Sequence, residues 1–424
     1  MTSDARAVQR IYLLLTLLTT LAASFIWGIN TLFLLDAGLS NTEAFAANAF
    51  FTVGQVIFEV PTGVVADTRG RRFSFMLGAG TLLLATLLYL VMWNIEAPFW
   101  GWAISSVLLG LGFTFFSGAT EAWLVDALAA TGFAGNLESV FGRAQVVGGF
   151  AMLTGSVLGG VIAQLTDLGV PYIVRAGMLG VTLMVAWFFM RDLGWTPQRG
   201  ATPMRAVRNV LDGAIDGGLR NRPVRWLMLA APFTVGVGFY AFYAFQPYLL
   251  ELYGDPNAYS IAGLAAAIVA GAQILGGLVV PWVRRLFARR THVIILSTAF
   301  SVIALVLVGL TDSFVVALIL LAVWCMVLAI EEPMRQAFIN GLIPSEQRAT
   351  VLSFDSLMGS AGGVVIQPGL GRTADAFGYP ASYVAAAAVQ ALALPFALLA
   401  RRENASSDPI RGDSDPIQAG TGSG

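Results

Sequence analysis

Long stretches free of Asp, Glu, Lys and Arg recur along the chain, separated by short polar breaks. Ile11 to Leu35, Phe73 to Ile95, Ala97 to Thr120, Ala144 to Thr166, Trp226 to Leu250, Pro256 to Val283, Val293 to Thr311, Ser313 to Ile330 and Ala376 to Ala400 carry no formal charge. Crossing ~30 Å of bilayer hydrocarbon as a helix takes ~20 residues, so each run is a candidate span. Three more emerge when one charge or a shorter run is admitted: Glu43 to Ala66 around Glu59, Tyr172 to Met190 with Arg175 at its start, and Arg348 to Gly371 around Asp355. The pattern predicts an all-α membrane protein of twelve spans.

Composition agrees and narrows the chemistry. Of 424 residues, 57% are hydrophobic and 12% charged, about half the charge a water-facing domain carries. The net charge of -1 leaves no basic excess for nucleic acid. All 24 basic residues are arginine, and His292 and Cys325 are the single members of their kinds. Schiff-base lysine chemistry, zinc centres and histidine triads are thereby excluded, no cofactor is expected, and an enzyme is disfavoured. Acid–base work falls to carboxylates.

The first run is too long for a signal peptide and reads as a retained helix. With the N-terminus inside, 22 arginines fall on inner loops and two, Arg175 and Arg372, near outer ends, the bias expected of a plasma or inner-membrane protein with both termini cytoplasmic. A polar stretch divides the chain almost in half. The expected organisation is a six-helix bundle over residues 1–190, a linker over 191–225, a second bundle over 226–400 and a disordered tail over 401–424. Within the linker, Met204, Val207, Leu211, Ile215 and Leu219 recur at helical spacing, as in an amphipathic helix on the inner leaflet.

The halves repeat one another weakly. Arg143 at the entry to the fifth span matches Arg348 at the eleventh; Asp167-Leu-Gly-Val-Pro171 matches Asp375-Ala-Phe-Gly-Tyr-Pro380; Glu121 falls opposite Glu331. Two related halves about an axis along the membrane normal place a transport site between them. After the second span comes Gly63-Val-Val-Ala-Asp67-Thr-Arg69-Gly70-Arg71-Arg72, which resembles motif A of the major facilitator superfamily, with Thr68 where a basic residue is usual. The resemblance implies the major facilitator fold of two pseudo-symmetric six-helix bundles. It further implies that the two glycines form a tight turn, that Asp67 faces the start of the eleventh helix, that the basic pair engages Asp126, and that the protein acts as a monomer. On the fifth span, Gly142, Ala151, Gly155, Ser156, Gly159 and Gly160 resemble motif C of the antiporter branch, although small residues at these intervals also serve close helix packing.

Carboxylates at membrane depth are functional candidates by default. Asp355, ~14 Å into the eleventh helix, is the deepest. It, Glu332 beside Pro333, and Glu59 lack a cation at helical spacing and are the candidates for proton coupling. Glu331 has Arg335 four residues later and is expected to pair with it. Inner-gate ion pairs among Glu121, Asp126, Arg143, Arg348, Glu331, Arg335 and the motif A arginines are the alternative role for these groups. Phe25, Trp27 and Asn30 on the first span, Gln145 on the fifth, Tyr240, Tyr243 and Gln246 on the seventh, Trp324 on the tenth and Gln367 on the eleventh are cavity candidates. Their mix of aromatic area and polar tips suits a small lipophilic or amphiphilic molecule. The combined expectation is proton-coupled efflux of such a compound by antiport. Uptake by symport, facilitated diffusion, or a non-transporting sensor on the same fold stay open.

Overall fold

The computed structural model describes residues 3–116, 119–196, 215–343 and 345–410, and it is helical throughout. The first half contains α1 (Ser3–Trp27), α2 (Asn30–Asp36), α3 (Asn41–Arg69), α4 (Arg71–Asn94), α5 (Phe99–Thr114), α6 (Ala119–Ala130), α7 (Leu137–Leu165) and α8 (Val170–Phe189). The second contains α9 (Arg222–Tyr253), α10 (Tyr259–Leu286), α11 (Arg290–Leu310), α12 (Phe314–Asn340), α13 (Ser345–Ala391) and α14 (Ala393–Arg402). Eleven stretches are long and apolar enough to cross a membrane, the last being 52 residues over Val351–Arg402. That length is twice what one crossing needs. Gly378, at φ 82 and ψ 167, breaks it at the start of the predicted last span, three residues past the predicted loop at 372–375. Twelve crossings result, with both ends of the chain on one side, here the terminal side; the opposite side is the distal side.

Local signals set the boundaries. Ser40 and Glu43 form a capping box that starts α3. The first predicted span divides at Gly28-Ile29 into α1 and α2. The fourth runs past its predicted end at Thr120 to Ala130, carrying Glu121 and Asp126 in its last helical turns.

Four apolar clusters fill the molecule, one at each side of each half. On the distal side they cross the boundary: Phe45 of α3 joins the second-half cluster, and Leu250, Ala258 and Ala262 join the first-half cluster. On the terminal side, each cluster draws only on its own half. The two bundles are therefore fused by buried apolar surface distally and, among the described residues, share no apolar cluster at the terminal side. Close helix contact supports the distal closure, since a Cβ on Gly160 of α7 would lie 2.5 Å from the Tyr259 carbonyl of α10; within the first half, one on Gly159 would strike the Phe25 carbonyl of α1. The small residues of α7 are thus occupied in packing against α1 and α10.

The expected disorder from Arg401 onward does not hold for residues 401–410. Asp408 is buried and accepts from Thr291 N at 2.9 Å and Thr291 Oγ1 at 3.0 Å, capping α11. Ile410 N donates to the Ala288 carbonyl at 2.9 Å, and Ser407 Oγ donates to the Phe338 carbonyl at 2.7 Å. A strap of chain thus closes over the terminal ends of α10, α11 and α12. Of the predicted linker helix, Met204, Val207 and Leu211 lie outside the described residues, while Ile215–Leu219 form one π-helical turn before α9.

Candidate functional site

A cavity of about 860 Å³ lies between the halves, walled by α1, α3 and α8 on one side and by α9 and α12 on the other. Trp27, Asn30, Tyr243 and Trp324 line it, as the sequence predicts, with Phe242, Phe239, Phe51 and Phe113 adding apolar area. Trp27 and Phe242 meet across the two halves with ring centroids 5.0 Å apart. Above them, Gln246 accepts from Thr31 N at 2.8 Å and donates to the Trp27 carbonyl at 2.9 Å. The break between α1 and α2 frees these backbone groups, and a side chain of the opposite bundle satisfies them. Gln246 is thus a seal on the distal side, not a wall of the cavity.

Other predicted cavity residues lie elsewhere. Gln145 of α7 is exposed and is not part of the cavity wall. Phe25 is buried against α7. Tyr240 is bonded to Ser382 inside the distal cluster of the second half. Gln367 is fully buried, with its amide nitrogen on the Gly363 carbonyl at 3.1 Å.

Among the described residues, the distal seam carries one charged contact between halves. Asp375 accepts from Asn41 N at 2.9 Å, Thr42 N at 2.8 Å and Thr42 Oγ1 at 2.5 Å, so a second-half carboxylate caps the positive end of α3. Tyr379 Oη donates to Asn41 Oδ1 beside it. The repeat-matched Asp167 behaves differently, accepting from Gly169 N at 2.8 Å and Val170 N at 3.0 Å to cap α8 of its own half.

The carboxylates at membrane depth exchange their expected roles. Arg335 binds Asp355 through two contacts of 2.6 and 2.5 Å, and its Nη2 also reaches the Leu227 carbonyl at 3.3 Å. Helical spacing predicts Glu331 as that partner. The arginine instead reaches across to α13, where a bidentate fork is available. Asp355 is therefore a structural anion joining α9, α12 and α13, contrary to the expectation that it lacks a cation. Glu331 is left buried on the cavity wall, and its Oε2 has no hydrogen-bond partner among the described residues. Glu332 also lines the cavity, exposed, and accepts from Gln336 Nε2 at 2.8 Å. Glu59 is half-buried on α3 and is not part of the cavity wall.

Arg175, assigned from sequence to an outer helix end, lies on the cavity wall and is 2% exposed. Its Nε donates to Thr86 Oγ1 at 3.1 Å and its Nη1 to the Ala22 carbonyl at 3.2 Å. Beside it, Tyr172 Oη donates to Asn30 Oδ1 at 3.1 Å, and Asn30 Nδ2 donates to Asn48 Oδ1 at 2.9 Å. The uncharged environment of position 175 in the sequence gave no sign of this inward face. A helical-wheel comparison placing Tyr172, Arg175 and Leu179 on one buried stripe would have found it.

Motif A holds in part. Gly70, at φ 110, makes the turn between α3 and α4, whereas Gly63 sits within α3 and contributes nothing to that turn. Asp67 accepts from Arg71 at 2.6 Å across the turn between α3 and α4; the side chains at 345–350, including Arg348, where the implied contact with the eleventh span would fall, lie outside the described residues. Arg71 Nε lies 3.9 Å from Asp126, as the resemblance implies. Arg72 donates to the Trp187 carbonyl at 2.6 Å, and Arg69 stands over Phe73. Glu121 and Arg143 are exposed.

Comparison with known proteins agrees with this architecture. The family model described as Major Facilitator Superfamily matches residues 12–366 and 260–419. An uncharacterized MFS-type transporter of Methanocaldococcus jannaschii is 21% identical over 54% of this chain, and the match spans 57% of that relative's length. Among solved structures, the nucleoside transporter NupG superposes with TM-score 0.77 at 9% identity, covering 92% of this chain and 98% of its own. A D-xylose–proton symporter gives 0.67 at 16%, covering 93% and 97%. A bacterial homologue of the human lysosomal transporter Spinster, inward-facing and unoccupied, gives 0.69 at 15%, covering 95% and 98%. At these identities the likeness is one of fold.

Proposed function

Because the chain belongs to the Major Facilitator Superfamily and is a multi-pass transporter of the secondary kind, we propose that it moves a small amphiphilic molecule through the central cavity in step with a proton carried by Glu331. The observation that carries this is one buried carboxylate oxygen without a partner, on the wall of the space where cargo would sit. The cation beside Glu331, Arg335, is already paired with Asp355, so the buried carboxyl sheds its charge by taking a proton, and alternating access then exposes it to each side in turn. Asp355 cannot share the task while it holds Arg335, and Glu332 serves at the mouth. With the terminal side cytoplasmic, the structure is the inward-open state.

Exchange and co-transport differ in the charge of what is carried. A cation competes with the proton for Glu331 and gives antiport. An anion is repelled by ionised Glu331, binds with the proton, and gives symport. The motif C-like spacing that favours efflux is already accounted for by packing of α7, so the sense of coupling rests on cargo charge. Proteoliposomes test the coupling. Glu331→Gln is expected to reduce proton-driven accumulation at least ~10-fold while leaving cargo exchange across a gradient-free membrane intact. Full proton-driven transport in that variant defeats the proposal.

A further inference from the structure

The cavity offers more unused donors than acceptors. Asn48 Nδ2 and Trp324 Nε1 are buried on its wall without hydrogen-bond partners among the described residues. Arg175 has two nitrogens engaged, both with neutral oxygens, and Nη2 has no hydrogen-bond partner among the described residues. The ionisable side chains acting on it are Tyr172 and Tyr89 and not carboxylates. Both hydroxyls are already used, one on Asn30 and the other on Ser106 at 2.6 Å. A buried guanidinium needs a negative partner, and the wall supplies none at this end of the cavity. In the other half, Asp355 meets that need for Arg335.

We propose that the cargo supplies the missing charge: a small organic anion whose carboxylate binds Arg175 and Asn48 and whose apolar body lies against Trp27, Phe242 and Trp324. This deepens the reading of the cavity as the transport site and rests on it. Arg175 is already oriented by Thr86 and Ala22, so one edge of its planar fork is presented to the ligand with little further ordering. Glu331, flanked by Arg335 and Glu332, lines the same space and opposes an anion while ionised. Proton and anion therefore load together, and the coupled step is symport without net charge movement.

The test uses the purified full chain in detergent and a matched probe set: phenylbutyrate, its amide and phenylbutylamine, with the naphthyl equivalents. Binding is read from tryptophan fluorescence and thermal shift. The carboxylates are expected to bind at least ~10-fold more tightly than the amides, as a charge-assisted hydrogen bond provides, with the amines weakest. Arg175→Met should erase the preference and Arg175→Lys should retain part of it. If Arg175→Met does not fold, Asn48→Leu, expected to weaken carboxylates more than amides, takes its place. Equal binding of amide or amine, absence of any carboxylate binding, or a preference unchanged in the variants overturns the proposal. Glu331→Gln separates the two readings, because it should keep the carboxylate preference while losing proton-driven flux. Carboxylate binding through Arg175 without proton-driven flux would defeat the transport reading alone. Proton-driven flux of a neutral or cationic dye that Arg175→Met leaves intact would defeat the anion assignment alone.

Discussion

Two buried arginines line one cavity from opposite halves, and they are treated differently. Arg335 is gripped by Asp355 in a bidentate pair, so its charge is cancelled within the fold. Arg175 is held only by a hydroxyl and a carbonyl, so its charge remains. Each ties helices together. The difference lies in whether a carboxylate is among the partners, and it assigns one arginine to architecture and the other to recognition.

Breaking the architectural pair should have the largest effect. Asp355→Asn leaves Arg335 uncompensated in the bundle, and a loss of about 3–5 kcal/mol is expected, seen as a marked drop in thermal unfolding temperature. Replacing both partners by apolar residues, Asp355→Leu with Arg335→Met, should recover most of that loss. The same experiment on the other arginine sharpens the contrast. Arg175→Met removes a charge that has no internal partner, so the expected stability change is within about 1 kcal/mol of zero once two neutral hydrogen bonds are deducted, while affinity for an anionic probe falls.

Smaller effects belong to the seam between the halves. Removing the charge of Asp375 at the start of α3, as Asp375→Asn, weakens a helix-dipole contact worth about 1 kcal/mol and should raise opening on the distal side about fivefold. Reaction of Phe45→Cys with a membrane-impermeant thiol reagent, in a Cys325→Ser background, reads this directly. Asp167→Asn, at the repeat-matched position, caps only its own half and should change that rate less than twofold.

Much of the fold was legible because the cost of placing charge in hydrocarbon is written into composition. Uncharged runs located the spans, and the break at Gly378 fell three residues past the predicted loop at 372–375. The site was less legible, for a physical reason. Spacing along one helix predicts partners on that helix, and it paired Glu331 with Arg335; the structure gives Arg335 to a residue twenty positions on, in α13. Arg175 was misplaced because its position in a run marks depth only crudely, and nothing local marks which face of α8 is inward. Glutamines read alike in sequence, yet Gln246 seals the distal seam, Gln367 is enclosed and Gln145 is exposed. Direction within a bundle is set by neighbours from elsewhere in the chain.

The strap over residues 403–410 also bears on where the protein can be altered after its last helix. Asp408 supplies the side-chain cap of α11, and Ile410 fills the terminal cluster of the second half. A purification tag joined directly after the last helix at Arg402 would leave α11 without that cap and the cluster without its plug. Joined beyond Ile410, it would leave both in place.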